Sequence, residues 1–391
     1  MQMKADQMTI SQINQRLIID TIRKHHRITR AGLSQQLHLS PPSVSANVEK
    51  LLEKGILLEY AADEMTGPGR RGKLLGLNPE YRYLVCVDLS GKMMTVGLGT
   101  IEEEMVECVT CDRIEGVMAG QVIDDIKKNV LDLLFRNRLT MDRVGAVIIC
   151  VPGIINENSG RIEHVSQFPG WDSLDAWNLL KQEYGSKLLL INDINASALG
   201  ELDAGIGRYY SSFVYINIDI GVGGGVVING HLLEGENLAA GSVGFMLTTA
   251  DQLDGSRRKD RNVGDQVNVP VMRKRTADKL KIPENELTIS MVNHLFRTGN
   301  PVVLDEITNL TKNLAMCIIN ICAVLNVPVV CLGGRIQELD VDLPRNLTRI
   351  VQNNLYYPPH VCFSQLGNSG AIRGAFRLGS EKILNFTLNA D

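Results

Sequence analysis

The stretch IDIGVGGGVV, residues 218–227, has the glycine density of a loop that wraps a phosphate in backbone N–H groups. It also carries an acid, Asp219, where a phosphate would approach. A close carboxylate–phosphate pair costs about 1–4 kcal/mol at near-surface dielectric, so these residue types favour a loop that keeps its glycines for packing and holds no nucleotide. Eight cysteines raise a second chemistry, metal or disulfide. Cys108 and Cys111 form a C-x-x-C, but MVECVTCDRI reads as a strand, where an offset of three puts the thiols on opposite faces. Cys317 and Cys322 are separated by about 140° around a predicted helix. All eight thiols are expected to be reduced and mostly buried, with no metal shared between them.

A third chemistry, contact with DNA, is written into the first 80 residues. Ser11 precedes a helical pattern with Ile13, Leu17, Ile18 and Ile22 on one stripe, ending near Arg23, Lys24, His25, His26 and Arg27. Thr29 is placed to cap a short second helix, RAGLSQQL, that breaks at His38–Leu39. Ser40 begins a third helix, with Pro41 and Pro42 in its first turn, where missing N–H groups cost nothing. The short turn between the second and third helices is that of a helix-turn-helix. On the third helix Val44, Val48, Leu51 and Leu52 fall on one face. Ser43, Ala46, Asn47 and Lys50 fall on the other, small or polar enough to lie in a major groove. Gly55 ends the helix, and ILLEY and KLLGL read as two strands around MTGPGRRG. Arg70 and Arg71 at such a hairpin tip would enter a narrow minor groove.

The charge distribution agrees with this division. Net charge is −4, yet residues 1–80 hold eleven Lys and Arg against eight Asp and Glu, and the remainder 29 against 36. A basic head on an acidic body fits a DNA-binding module joined to something else. With 391 residues, 44% of them apolar, the chain has room for two or three domains. No apolar run approaches the roughly 18–20 residues of a membrane span, MQMKADQMTI lacks a signal-peptide hydrophobic region, and the cytoplasm is the expected compartment. Beyond Tyr81, strand patterns (YLVCVDL, MMTVGLG, MVECVTC, VGAVIICVPG, KLLLIND, FVYINID, GGGVVING) alternate with helical ones, including 119–136, an α/β arrangement.

Residues 11–80 resemble the winged helix-turn-helix of the ROK family (repressors, open reading frames, kinases), with Gly69-Arg70-Arg71-Gly72 where the family's wing carries Gly-Gly-Arg-Pro. The stretches VPGIINENSGRIEHVSQFPGW, INDINASALGE, GVGGGVVINGHLLEG, AAGSVGF, VVCLGGRI and GNSGAIRGAF extend the resemblance over nearly the whole chain. It implies a winged helix-turn-helix at 1–80 followed by a two-lobed actin-like ATPase (ROK sugar kinase) fold. The first lobe would be 81–194 plus 369–391, and the second, 195–368, would carry the effector cleft and the dimer contact.

Three family sites are compared residue by residue. The first phosphate loop, Asp-Ile-Gly-Gly-Thr in the family, is Asp88-Leu89-Ser90-Gly91-Lys92, and the second, Gly-Thr-Gly-Ile-Gly-Gly-Gly, is Asp219-Ile220-Gly221-Val222-Gly223-Gly224-Gly225. Both depart from the pattern, and no nucleotide or other cofactor is expected. Zinc is not expected either, because Gly241-Ser242-Val243-Gly244-Phe245 lacks the family's histidine and the following DQLDGSRRKDRNVGDQVNV lacks its cysteines. The Arg257, Arg258, Lys259, Arg261 run is read as a solvated loop. Of the family's sugar contacts, Asn192 and Asp193 match, while Ser242 and Phe245 replace a glutamate and a histidine. A carboxylate beside an amide at a strand end suits a polyol, though the same pair could simply cap a helix starting near Ala196. Ser242 can bond one hydroxyl; Phe245 is expected to fill the space left by histidine and zinc.

These features imply a sugar-responsive regulator, a homodimer or dimer of dimers that holds an AT-rich inverted repeat in double-stranded DNA and answers to a sugar or sugar phosphate. The alternatives are a sugar kinase with residual activity, Asp193 as its base, and a regulator controlled by a protein partner.

Overall fold

A computed structural model describes residues 2–61, 73–156, 161–163, 165, 168–171, 174–249 and 262–389. The head consists of α1 (Gln2–His25), β1 (Ile28–Thr29), α2 (Arg30–Leu37), α3 (Pro41–Glu53), β2 (Leu57–Tyr60) and β3 (Leu74–Leu77), with an antiparallel sheet in the order β1-β3-β2. Thr29 Oγ1 accepts the Gly32 N–H at 3.1 Å, and Ser40 accepts that of Ser43 at 3.4 Å, so both helices start at the side chains placed to cap them. His38 closes α2 in the left-handed conformation. Val44, Val48 and Leu51 are fully buried beneath Ile18, Ile19 and Ile22.

Helix α1 differs from expectation in two ways. It begins at Gln2, so Ser11 is inside it and caps nothing. Its buried stripe is Gln15, Ile18, Ile19 and Ile22, whereas Ile13 and Leu17 remain 53% and 42% exposed. The i, i+3, i+4, i+7 spacing of the buried set is one helix face, and the cover given by α3 and by a distant C-terminal helix selects that face.

The first lobe contains β4 (Tyr83–Asp88), β5 (Met93–Thr100), β6 (Met105–Arg113), α4 (Ala119–Arg136), β7 (Val144–Val151), the short hairpin β8 (Ile154–Asn156) and β9 (Arg161–Glu163), α5 (Ala176–Tyr184) and β10 (Leu188–Asn192). The sheet order is β10-β7-β4-β5-β6, with β10, β7 and β4 parallel and β5 and β6 antiparallel. The second lobe contains α6 (Asp193–Ala204), β11 (Phe213–Ile218), β12 (Val222–Ile228), β13 (His231–Leu232), α7 (Val263–Val267), α8 (Val269–Leu280), α9 (Ile289–Arg297), α10 (Pro301–Leu325), β14 (Val329–Gly333), α11 (Leu343–Gln352) and β15 (His360–Phe363). Its sheet, β13-β12-β11-β14-β15, repeats the strand order and the parallel and antiparallel pattern of the first. Each sheet is covered on both faces, which is why its central strands are apolar on both parities: Val85 and Val87 of β4 face one core, Leu84 and Cys86 the other.

Against the expectation of no membrane-length apolar run, α10 has the length and mean hydropathy, 1.4, to cross a bilayer. Its stripe of Val303, Ile307, Leu310, Leu314 and Ile318 is instead buried in the second-lobe core. The cysteines are all free thiols; Cys86, Cys150, Cys317, Cys322 and Cys331 are buried, and Cys108 is exposed while Cys111 is half-buried.

The chain ends its fold with α12 (Gly370–Asn389), which returns to the first lobe and packs on β4 and β7 while crossing α6. The boundary expected at 194/195 thus falls inside α6, a helix packed on both sheets. The crossing is made backbone to backbone. A methyl group on Gly374 would collide with the Ala196 carbonyl oxygen and lie 2.7 Å from the Gly200 nitrogen, and one on Gly200 would collide with the Gly370 carbonyl. The head lies along the far end of α12: from α1, Gln12 Nε2 donates to the Leu388 carbonyl at 3.0 Å and Arg23 Nη2 to Ser380 Oγ at 3.0 Å, and from the end of α3, Lys54 Nζ donates to the Thr387 carbonyl at 3.2 Å. Arg27 bonds Glu102 at 3.0 Å, and the apolar residues of head and first lobe form one continuous core.

Gly374→Ala should therefore destabilise the protein by about 3 kcal/mol, because the obstructing atoms are backbone and no side chain can rotate away. Gly120→Ala on α4, where a methyl meets nothing within 4 Å, is the control and should be neutral or mildly stabilising. Thermal and denaturant unfolding of the two variants measures the difference.

Candidate functional site

Two regions of the chain can do the chemistry expected of them. In the head, Ala46 and Lys50 are exposed on α3 and Ser43 is half-exposed. Asn47 is not available to a groove: it is 6% exposed, its Nδ2 donates to the Ser43 carbonyl at 2.9 Å and its Oδ1 accepts from Ser11 Oγ at 2.8 Å. The expectation of a base contact is corrected to a hydrogen bond that ties α3 to α1. Lys50 Nζ also reaches Ser11 Oγ, at 3.0 Å. Pro42, Ser45, Ala46 and Glu49 make up the outward stripe, and Ser45 was not among the residues singled out from sequence. Arg70 and Arg71, like the Arg257–Arg261 run, lie outside the described residues. The strands flanking the wing segment pair antiparallel, with Tyr60 opposite Leu74.

The second region is a cleft of about 350 Å³ between the lobes, within the size range of small-molecule sites. Strand β10 delivers Asn192 and Asp193 to its floor; the β11–β12 turn brings Asp219 and Ile220, and the loop after β13 brings Leu238 to Ser242 and Phe245. Asn192 caps α6, its Oδ1 accepting the N–H groups of Ile194 (3.0 Å) and Asn195 (3.1 Å), while its Nδ2 donates to the Gly153 carbonyl at 2.9 Å. Capping and lining are thus one arrangement, since the N-terminus of α6 opens on the cleft, and the helix starts at Asp193 rather than near Ala196. Ser242 lines the cleft with its Oγ donating to the Ala239 carbonyl at 2.7 Å, which leaves its lone pairs free to accept. Asn195 and Asn217 also line it, residues that sequence reasoning did not single out.

Phe245 does not fill a vacated interior. The three-residue turn Val243–Phe245 puts Val243 inward, and the phenyl ring is left 66% exposed at the cleft rim. An aromatic face presented there is available to the C–H surface of a sugar.

Asp193 is only 8% exposed, and its carboxyl is pushed up to about 7 by burial first and then by the charges of Asp88 and Asp219, against the pull of the Ile194 N–H. Burial likewise raises Asp88, offset by the Ser90 N–H at 2.9 Å. Near neutrality Asp193 therefore offers both acceptor and donor, which suits a hydroxyl.

The glycine stretch has a packing role in this geometry. Methyl groups on Gly223 or Gly225 would collide with Ile194 and Ala198 of α6, and the Gly224 N–H is already given to the Gly241 carbonyl at 2.7 Å. The family's zinc does not fit the residues present: Phe245 stands where the family has its histidine ligand, DQLDGSRRKDRNVGDQVNV supplies no cysteine, and among the described residues no group of three or more His, Cys, Asp or Glu could hold a metal.

Because the folded protein keeps the Asp193 proton over a range in which the unfolded chain has released it, this group's contribution to stability is greatest below pH 4 and is lost as pH rises through about 7. Asp193→Asn removes the loss. Relative to the parent, the variant should gain roughly 2–4 kcal/mol between pH 5 and pH 8, measured by denaturant unfolding at both values.

A family model described as "ROK family" matches residues 84–382, and one described as "Winged helix-turn-helix DNA-binding" matches residues 12–57. The xylose repressor of Bacillus subtilis is 26% identical over 370 residues, 93% of this chain and 91% of that protein. The crystal structure of a ROK family transcriptional regulator, a homologue of the Escherichia coli Mlc protein, superimposes with a TM-score of 0.79 at 20% identity, over 97% of this chain and 98% of that one. A ROK hexokinase from Thermus thermophilus covers 78% of this chain and 99% of its own, with a TM-score of 0.65 and 19% identity. With the family match running through both lobes and a winged helix-turn-helix in front of it, the chain belongs to the ROK family.

Proposed function

We propose that this protein is a transcriptional repressor of carbohydrate-utilisation genes, acting in the cytoplasm as a homodimer on an inverted repeat and released from DNA by a sugar. The observation that carries the reading is a continuous mechanical path. Asn192 and Asp193 at the cleft begin α6, α6 crosses α12 backbone to backbone, and α12 holds the DNA-binding head along its far end. Similarity to a xylose repressor along nine-tenths of the chain supports the same reading.

A sugar that touches both lobes binds the closed cleft better than the open one, and it shifts the population by that difference in affinity alone. The head is packed on the first lobe, so closure swings it relative to the second. If two copies join through their second lobes, the separation of the heads changes, and with it their fit to half-sites one helical turn or a multiple apart. The chain is proposed to be a regulator and not a kinase because Asp219 and Ile220 stand in the second phosphate loop and the Gly224 N–H is committed to Gly241. ATP at millimolar concentration should give no binding heat.

Selection from a random duplex pool should enrich a palindrome whose affinity falls steeply with salt. Arg70→Ala with Arg71→Ala should weaken that binding at least about tenfold if the pair sits in a narrow minor groove. A panel of aldoses in the mobility-shift assay should contain one that releases the DNA. Asp193→Ala should bind DNA normally while losing about 3 kcal/mol of effector affinity, from two hydrogen bonds whose loss leaves buried sugar hydroxyls unpaired. No enriched palindrome, or an Asp193→Ala variant with a full effector response, would overturn the assignment.

A further inference from the structure

A free aldose and its terminal phosphate ester share most of their hydroxyls and differ by about 1.5–2 negative charges at neutral pH. The cleft treats these two ligands very differently. Anion sites in proteins are made of cations, of helix N-termini or of unpaired backbone N–H groups. None of the described residues lining this cleft is Lys, Arg or His. At the N-terminus of α6, the Ile194 and Asn195 N–H groups are taken by the side chains of Asn192 and Asp193. In the glycine stretch, β12 pairs with β11 over Val222–Val227, and the Gly224 N–H goes to Gly241.

The two cations that act on Asp219, Arg335 and Lys92, do so from outside the lining, and each is paired with another acid. Arg335 pairs with Glu338 at 3.2 Å and Lys92 with Glu115 at 3.2 Å. Asp219 Oδ1, buried, has no hydrogen-bond partner among the described residues. Asp193 and Asp219 both line the cleft, Asp88 is buried close enough behind it to act on Asp193, and no described lining residue carries a compensating charge.

Resting on the sugar reading above, we infer that the cleft takes an uncharged aldose and rejects the phosphate ester of the same sugar, and that Asp219 is the residue that sets this selectivity. Its carboxylate accepts a sugar hydroxyl, and its charge repels a phosphoryl group brought to the same place. The remnant of a phosphate loop thus works as a charge filter.

The test is calorimetric titration of the full chain with matched pairs: D-xylose and D-xylose 5-phosphate, D-glucose and D-glucose 6-phosphate, N-acetylglucosamine and its 6-phosphate. For whichever aldose binds, the ester should bind at least about thirtyfold more weakly. Asp219→Asn, which keeps the shape and the acceptor but not the charge, should narrow that gap about tenfold or more, mainly by improved ester binding. An ester that binds the parent as well as its aldose, or a gap unchanged by Asp219→Asn, overturns the inference and leaves the sugar reading standing. No heat from either member of any pair overturns the sugar reading, and the inference falls with it.

Discussion

The close crossing of α6 over α12 is the constraint on which the rest of the molecule depends. At Gly200 and Gly374 the two helices touch through main-chain atoms, with no side chain between them. Helix α12 packs on β4 and β7 of the first sheet, and α6 packs mainly on β11 and β12 of the second while also touching β7 and β10, so the crossing sets how the lobes meet. A close-packed contact of this kind has little compliance. Motion between lobes must be carried by rotation about it.

The same economy of space explains the glycine stretch. Once α6 is held down on α12, β12 must pass beneath α6, and Gly223 and Gly225 are what let it do so. Glycines that by composition look made for a phosphate are committed to a helix–strand contact. This leaves the neighbouring turn free to carry an acid, and Asp219 occupies it without disturbing the packing. The chemistry of the cleft is accordingly one of carboxylates and amides set in an apolar frame, with Phe245 at the rim.

Features governed by adjacent residues were legible in the sequence. Thr29 and Ser40 cap their helices because a hydroxyl needs only the N–H groups of the next turn, and Val44, Val48 and Leu51 are buried because helical spacing alone aligns them. The α/β alternation was readable from strand patterns, while the division into two lobes and the choice of Asn192 and Asp193 came from the family resemblance. What could not be read depends on partners far away in the chain. The buried face of α1 is chosen partly by α12, and the turning of Asn47 inward depends on Ser11, 36 residues earlier. Phe245 points outward because Val243 of the same turn takes the interior position, a choice that the composition of the loop does not encode.

The docking of α1 along α12 also has a temporal meaning. Gln12 and the Leu388 carbonyl that holds it are 376 residues apart, so during synthesis the head emerges long before its platform exists. At about 5–20 residues per second that interval is tens of seconds. Throughout it the head lacks the helix that completes its core and fixes its orientation. The placement of the head against the body is thereby set only after both lobes and the cleft between them have been made.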